Sequence, residues 1–304
     1  MGGAKGVVYP VDWIIASYNA ILAVTWLGLA SRDAGASWLA LAHAGAAVLP
    51  WLLRGLPQAP PPARALRDGY PLIGLAFFWA ELGPLQALRG AEPRDLFVQQ
   101  LDLALFGVHW HEIWMSVMPG RWVSEVMHFA YFLYYLILVI PPLAIGFHRG
   151  PRAFRSVALA LVITYLSCFL FYVVFPVYGP RASDAASLAA APDGLFHSLV
   201  ERARASGDSP GTAFPSSHVA GAATIAWLGW RWLSRRWFAI LALAALAVAL
   251  ATVYTQNHYA VDALAGLLWI VPLQGGLAPA LEGLGPDRHG ATAPASYSRS
   301  LRRS

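Results

Sequence analysis

Apolar runs about twenty residues long, separated by short basic or proline-rich segments, dominate the chain. Trp13 to Ala30, Trp38 to Leu53, Tyr70 to Leu88, Val123 to Phe147, Phe154 to Phe175, Pro215 to Trp232, Trp237 to Tyr254 and Tyr259 to about Leu277 each read as a helical span. Crossing a hydrocarbon core of roughly 30 Å takes about this length. Backbone in lipid must satisfy its own hydrogen bonds, which a helix does within one segment. The pattern therefore predicts an all-α, polytopic membrane protein of about eight transmembrane helices. Ala91 to Gly120 is too charged to span, yet Leu96, Leu101, Leu103, Phe106, Trp110 and Trp114 give it ample apolar surface. It reads as interfacial helices lying on the membrane. Gln58 to Asp68, proline-rich and basic, reads as a loop, and Tyr178 to Gly211 as a polar loop. The tail from Pro279 is rich in Gly, Pro and Ser and reads as disordered.

Composition agrees with that pattern. The 304 residues are 58% hydrophobic and 12% charged, where a soluble domain carries about 25% charge. The single cysteine, Cys168, lies inside a span, so neither a disulfide framework nor a cysteine metal site is available. A net charge of +5 suits nucleic acid in a soluble protein, but in a membrane protein basic loops report topology. With the N-terminus in the cytoplasm, the cytoplasmic segments hold twice as many Lys and Arg as the opposite ones. The bias is strongest in the tight loops with Arg149, Arg152, Arg155 and with Arg231, Arg235, Arg236. Both termini are then cytoplasmic, the first span is retained, and the expected location is the cell inner membrane. Three regions follow: two N-terminal spans and a cytoplasmic loop (1–69), a six-helix core (70–278) with the interfacial segment 91–120 and a loop at 176–212, and a basic cytoplasmic tail (279–304).

Chemistry gathers at Gly211 to Thr224, where Ser216, Ser217 and His218 follow Pro215 at the head of an apolar run. Such a helix start offers free N–H groups and a positive dipole end to an anion. Alternating the spans brings Arg181, His218, His258 and Asp262 to one, non-cytoplasmic membrane face. Ionisable groups at bilayer depth cost about 2.5–3.5 kcal/mol each on insertion scales, so a cluster of four implies a purpose. A guanidinium clamps phosphoryl oxygens, one imidazole attacks phosphorus, another protonates the leaving alkoxide, and a carboxylate orients the first. His258 and Asp262, four apart, would stack on one helix face.

Phe214-Pro-Ser-Ser-His218 and His258-Tyr-Ala-Val-Asp262-Ala-Leu-Ala-Gly266 resemble the second and third signature motifs of the type 2 phosphatidic acid phosphatase superfamily. Phe175-Pro-Val-Tyr-Gly-Pro-Arg181 looks like a variant of the first. Together with Leu101-Asp-Leu-Ala-Leu-Phe-Gly107 and Phe129-Ala-Tyr-Phe-Leu-Tyr-Tyr135, the set is most similar to the inositol phosphorylceramide synthase (aureobasidin-target) branch. The resemblance implies a six-helix core and a phosphohistidine mechanism with no metal or other cofactor. On it, His258 is the nucleophile, Asp262 its orienting partner and His218 the leaving-group acid. Arg181, Ser216 and Ser217 bind the phosphoryl oxygens, and Tyr131, Tyr135 and Asn257 are candidates for a headgroup pocket. Two of the superfamily's usual cations are replaced, by Val174 and Thr252, and its second-motif glycine is Ser217. One arginine suits a singly charged phosphodiester better than a phosphomonoester. The expected reaction moves a phospho-headgroup from a phospholipid donor to a lipid alcohol acceptor, with water the acceptor if the enzyme is instead a phosphatase. No nucleic-acid partner is implied, and the oligomeric state is open.

Plainer readings stand beside these. A lone histidine at a helix end is usually an interfacial residue, and Ser216 serves equally as an N-cap. His109-Trp-His111 suggests a metal pair, but on an interfacial helix the two would face different ways, which favours no metal. His128 and Glu81 read as structural, and Tyr131, Tyr134 and Tyr135 as an interfacial aromatic belt. Two rival functions remain: a transporter or channel with an intramembrane His/Asp/Arg path, and a serine hydrolase built on Ser216, for which no G-x-S-x-G elbow exists.

Overall fold

The computed structural model describes residues 6–56, 60–183 and 192–287. In chain order the helices are α1 (Pro10–Gly28), α2 (Ala34–Leu53), α3 (Pro61–Arg89), α4 (Asp95–Phe106), α5 (Trp110–Val117), α6 (Arg121–Arg149) and α7 (Pro151–Val174). They continue with α8 (Pro180–Ser183), α9 (Leu195–Gly207), α10 (Ser217–Trp232), α11 (Arg235–Tyr254) and α12 (Ala260–Pro272), which passes through a π-turn, Leu273–Leu277, into α13 (Ala278–Leu284). The described residues hold no strand, only an isolated bridge between Val177 and Thr212. Among them seven helical stretches are long and apolar enough to cross a membrane: α1, α2, α3, α6, α7, α11 and α12 with α13. The chain is an all-α integral membrane protein.

The remaining expected span, α10, has 16 residues. At 1.5 Å per residue it rises about 24 Å, short of the full hydrocarbon depth. It is packed against α6, α7, α11 and α12. The centre of the bundle is α7, apolar on every side and buried over most of its length. A helix with no polar face belongs inside a bundle, and α7 has α1, α3, α6 and α10 around it. Trp13, Leu27, Trp38, Trp122 and Phe147 lie on the outer surface instead. Large apolar side chains exposed around a helical bundle are what lipid contact requires.

Three sequence expectations need correction. The segment read as a loop at 58–68 is helical from Pro61 onward. Proline is tolerated in a first turn because the missing N–H has no intrahelical partner there. The polar stretch 178–211 contains α9, whose N-terminal N–H groups at Phe196 and His197 are both accepted by Glu125 at 3.1 Å. The tail read as disordered from Pro279 continues as α13 to Leu284, while 288–304 lie outside the described residues.

Ion pairs bind one end of the bundle together. Arg67 pairs with Asp12 at 2.5 Å, Arg155 with Asp68 and Asp287, and Arg231 with Glu282. The opposite end carries α4, α5, α8 and α9, with the starts of α10 and α12.

Candidate active site

Three chain segments are joined by their backbones at that second end. Ala213 N–H donates to Val177 O at 2.8 Å and Val177 N–H to Gly211 O at 3.3 Å, which joins the segment after α7 to the one before α10. Ser216 N–H donates to Asp262 O at 3.0 Å, which joins α10 to α12. The close crossing needs Gly266, since a Cβ there would come 2.5 Å from Ser216 O. Gly179, at φ +85, lies against the carbonyl of Asn257, where a Cβ would approach to 2.9 Å. The turn between α11 and α12 is closed on Thr252, whose carbonyl accepts from Asn257 and His258 N–H at 3.0 and 3.1 Å. Gln256 holds φ +60 in that turn, a left-handed conformation uncommon for a residue with a Cβ.

This framework places the ionisable side chains. His258 Nδ1 lies 3.3 Å from Asp262 Oδ2, and the same oxygen accepts Tyr259 N–H at 2.9 Å. His258 stands just before α12, not on it, with Tyr259 as the N-cap. Both His258 and Asp262 are buried. The His218 ring lies edge-on to the His258 ring, 5.7 Å between centroids. Tyr131 Oη is 3.2 Å from His218 Nε2, while His218 Nδ1 is buried without a hydrogen-bond partner among the described residues. Arg181 donates from Nε to Thr255 O at 3.1 Å and pairs through Nη2 with Glu201 Oε1 at 3.1 Å. Burial lowers the Arg181 pKa from its ordinary value, and the neighbouring Arg204 charge lowers it further.

The sequence-derived set meets this geometry unevenly. Arg181, His218, His258 and Asp262 come together at one end of the bundle. Ser216 is buried as the N-cap of α10, its side chain accepting from Val219 N–H at 3.4 Å. Ser217 is also buried, and the Tyr172 hydroxyl donates to Pro215 O two residues before it at 2.6 Å. Asn257 donates its amide to Thr255 Oγ1 at 2.6 Å, beside the carbonyl that holds Arg181. Tyr131 and Tyr134 are not an interfacial belt: both are buried, with rings 5.3 and 4.5 Å from the His218 ring. Tyr135 is half-buried, edge-on to Tyr131 at 6.5 Å. The spacing 131, 134, 135 puts all three on one helix face, a face that turns inward. Val174 is 69% exposed on the bundle's flank and Thr252 is wholly buried in the turn. Glu81 is held by His43 Nε2 at 2.5 Å and Trp26 Nε1 at 3.4 Å, among the first three helices. His128 bonds Ser124 O at 2.7 Å and lies edge-on to His197.

Several contributors escaped the sequence reading. Asp95 on α4 accepts Tyr178 N–H at 2.9 Å and Gly179 N–H at 2.8 Å, and also the Tyr259 hydroxyl at 3.2 Å. It thus ties the Arg181 segment to the His258 turn. Glu201 on α9 bridges Arg181 and Arg204, the latter at 3.2 Å. A carboxylate at the first turn of an amphipathic segment was the available signal for Asp95; nothing local marks Glu201. His109 and His111 do not face apart as expected, because His109 is the extended residue preceding α5. Their ligand atoms and that of Asp102 all lie within 4.8 Å of one another. Burial raises the Asp102 carboxyl pKa, against hydrogen bonds from Val261 N–H and His109 that lower it.

Two histidines, a carboxylate and an arginine thus meet at one end of a helical membrane bundle. The family model described as the PAP2 superfamily matches residues 94–273, more than half of the chain, and the protein belongs to that superfamily. No curated protein and no solved structure matches the chain. Membership brings phosphatase and phosphotransferase chemistry on lipid phosphates; the matched region contains every residue of the cluster just described.

Proposed function

We propose that the protein is a membrane lipid phosphotransferase that works through a phosphohistidine, moving a phospho-headgroup from a phospholipid diester to a lipid alcohol. The carrying observation is the His258–Asp262 pair beside His218, with Arg181 on α8 bonded to Thr255 O of the adjoining turn. His258 Nε2 attacks phosphorus, and the bond from phosphorus to the diacylglycerol oxygen breaks. His218 gives its proton to that oxygen, releasing diacylglycerol and leaving the headgroup phosphate on His258. An acceptor alcohol then loses its proton to His218 and attacks phosphorus. The P–N bond breaks and both histidines return to their starting states. Asp262 stabilises positive charge on His258 in each step, and Arg181 neutralises the phosphoryl oxygens. No step calls for a metal, and general acid–base assistance of this kind contributes about 10²–10⁴ in rate.

Charge balance favours the diester. Arg204 adds a second guanidinium, but Glu201 lies between the two arginines, so the three together carry a net +1. A phosphodiester carries one negative charge, a phosphomonoester nearly two, and surplus buried positive charge is costly. The inositol phosphorylceramide synthase branch, which the motifs resemble, performs such a transfer. Plain phosphatase activity is the second reading, favoured by the superfamily as a whole. The core at 70–278 contains the family match at 94–273, leaving 1–69 and 279–304 as accessory regions. Arg149, Arg152, Arg155, Arg231, Arg235 and Arg236 at the opposite end support cytoplasmic termini and a non-cytoplasmic site.

The test supplies purified protein with phosphatidic acid, or with phosphatidylinositol plus ceramide. The expected result is headgroup transfer to ceramide with little inorganic phosphate. Brisk phosphate release from phosphatidic acid without any transfer would reverse the preference for transferase. His258→Ala is expected to abolish turnover together with any acid-labile phosphoenzyme; continued lipid turnover would sink the mechanism.

A further inference from the structure

Asp102, His109 and His111 meet where α4 gives way to α5. Gly107, at φ +74, ends α4. His109 is extended, and His111 lies in the first turn of α5. Two residues apart on one continuous helix, the rings would point roughly 200° apart; the break at His109 lets both turn toward Asp102. Asp102 Oδ2 is 3.4 Å from His109 Nδ1. With ligand bonds of about 2.0–2.2 Å, ligand atoms of a tetrahedral site stand about 3.3–3.5 Å apart, so this edge already has the required length. The set's widest separation, within 4.8 Å, is closed by rotamer adjustment.

Asp102 and His111 are buried, whereas the His109 side chain is 23% exposed, so access comes from one side. On the half-exposed flank, Glu112 Oε1 lies 3.7 Å from His111 Nε2, in reach as a fourth donor. Asp102 Oδ1 is engaged by Val261 N–H at 2.8 Å, which leaves Oδ2 for the cluster. Two imidazoles and a carboxylate are a zinc-type donor set. We propose that Asp102, His109 and His111 form a binding site for a divalent first-row metal of the zinc class, fastening the α4–α5 corner to the start of α12. Val261 precedes Asp262, and the His111 ring lies edge-on to Tyr259, the N-cap of α12, at 5.0 Å. The metal would thus position the α12 start without touching the reacting groups. The proposal stands on this geometry and does not depend on which lipid the enzyme uses.

The test uses the full chain purified with a histidine-free tag, stripped by chelator and refilled with Zn²⁺ or Co²⁺. Elemental analysis is expected to find about one zinc per chain. Thermal unfolding should shift up by about 5 °C on refilling. Co²⁺ should give the intense visible bands of tetrahedral coordination. His109→Ala and His111→Ala should each lose the bound metal and the shift, while His148→Ala, at an exposed histidine outside the cluster, should keep both. A wild type that retains no metal, a cobalt spectrum of the hydrated octahedral ion, or a shift shared by the His109→Ala/His111→Ala double variant would overturn the proposal. If the variants do not fold, the cobalt spectrum of the wild type decides alone.

Discussion

Asp262 has two duties that a neutral amide fulfils poorly. One oxygen receives Tyr259 N–H and faces His258 Nδ1, so the carboxylate sets both the helix start and the imidazole tautomer. Asp262→Asn keeps the volume but offers an amide that can present N–H to the ring and reverse the tautomer. The expected result is a fall in kcat of about 10²–10⁴ with KM little changed, measured by turnover of a labelled lipid; a near-native kcat would remove Asp262 from the mechanism. That His258, Asp262, His218 and Arg181 gather at one end was legible, because ionisable groups are rare in an apolar background and the end each occupies follows from counting spans. The roles of Tyr131 and Tyr134 were not. Aromatic residues occur both at interfaces and in interiors, and only the packing of α6 against α10 decides between them.

At the scale of elements, α9 changes the picture most. It lies in a stretch whose charge of both signs resembles a loop, yet Val200 is buried and Phe196 packs against Phe129 at 4.9 Å and Phe132 at 6.2 Å. Glu125 caps it from α6, a partner seventy residues away that no local pattern names. Through Glu201 the helix places a carboxylate against Arg181, in the position a phosphate would compete for. Glu201→Gln should therefore lower KM for the anionic lipid by about five- to tenfold, the equivalent of about 1 kcal/mol, with a smaller change in kcat. An unchanged or raised KM would show that Glu201 supports the arginine instead of competing for it. The membrane-spanning helices, in contrast, were legible as elements, although α2 starts at Ala34 and α3 at Pro61, before the expected Trp38 and Tyr70, and α13 runs on to Leu284. A twenty-residue apolar run has one stable conformation in lipid, since every backbone group must be satisfied locally. The exception at α3 has a physical cause too: Pro61 and Pro62 look like a break but serve as a helix start.

For the molecule as a whole, orientation is the open quantity that charge can predict. Basic residues gather at one end, with Arg54, Arg149, Arg231 and Arg235, and the site lies at the other. Cys168 is buried in α7, so the native chain gives little background to a thiol reagent. Ala205→Cys on α9 and Arg236→Cys on α11 put exposed positions at opposite ends. An impermeant maleimide added to intact cells should label the first and spare the second until the membrane is opened; the reverse pattern would invert the topology. Sequence was sufficient for the class of fold, most of the spans and which ionisable residues share one end, because hydropathy, charge and span parity are properties of the chain taken one segment at a time. Tertiary structure alone decided how Asp95 and Glu201 serve the cluster, why three tyrosines face inward, and that Asp102 meets His109 and His111. Those facts rest on contacts between residues far apart in the chain, where direction in space is set by packing and backbone turns and leaves no local periodicity to read.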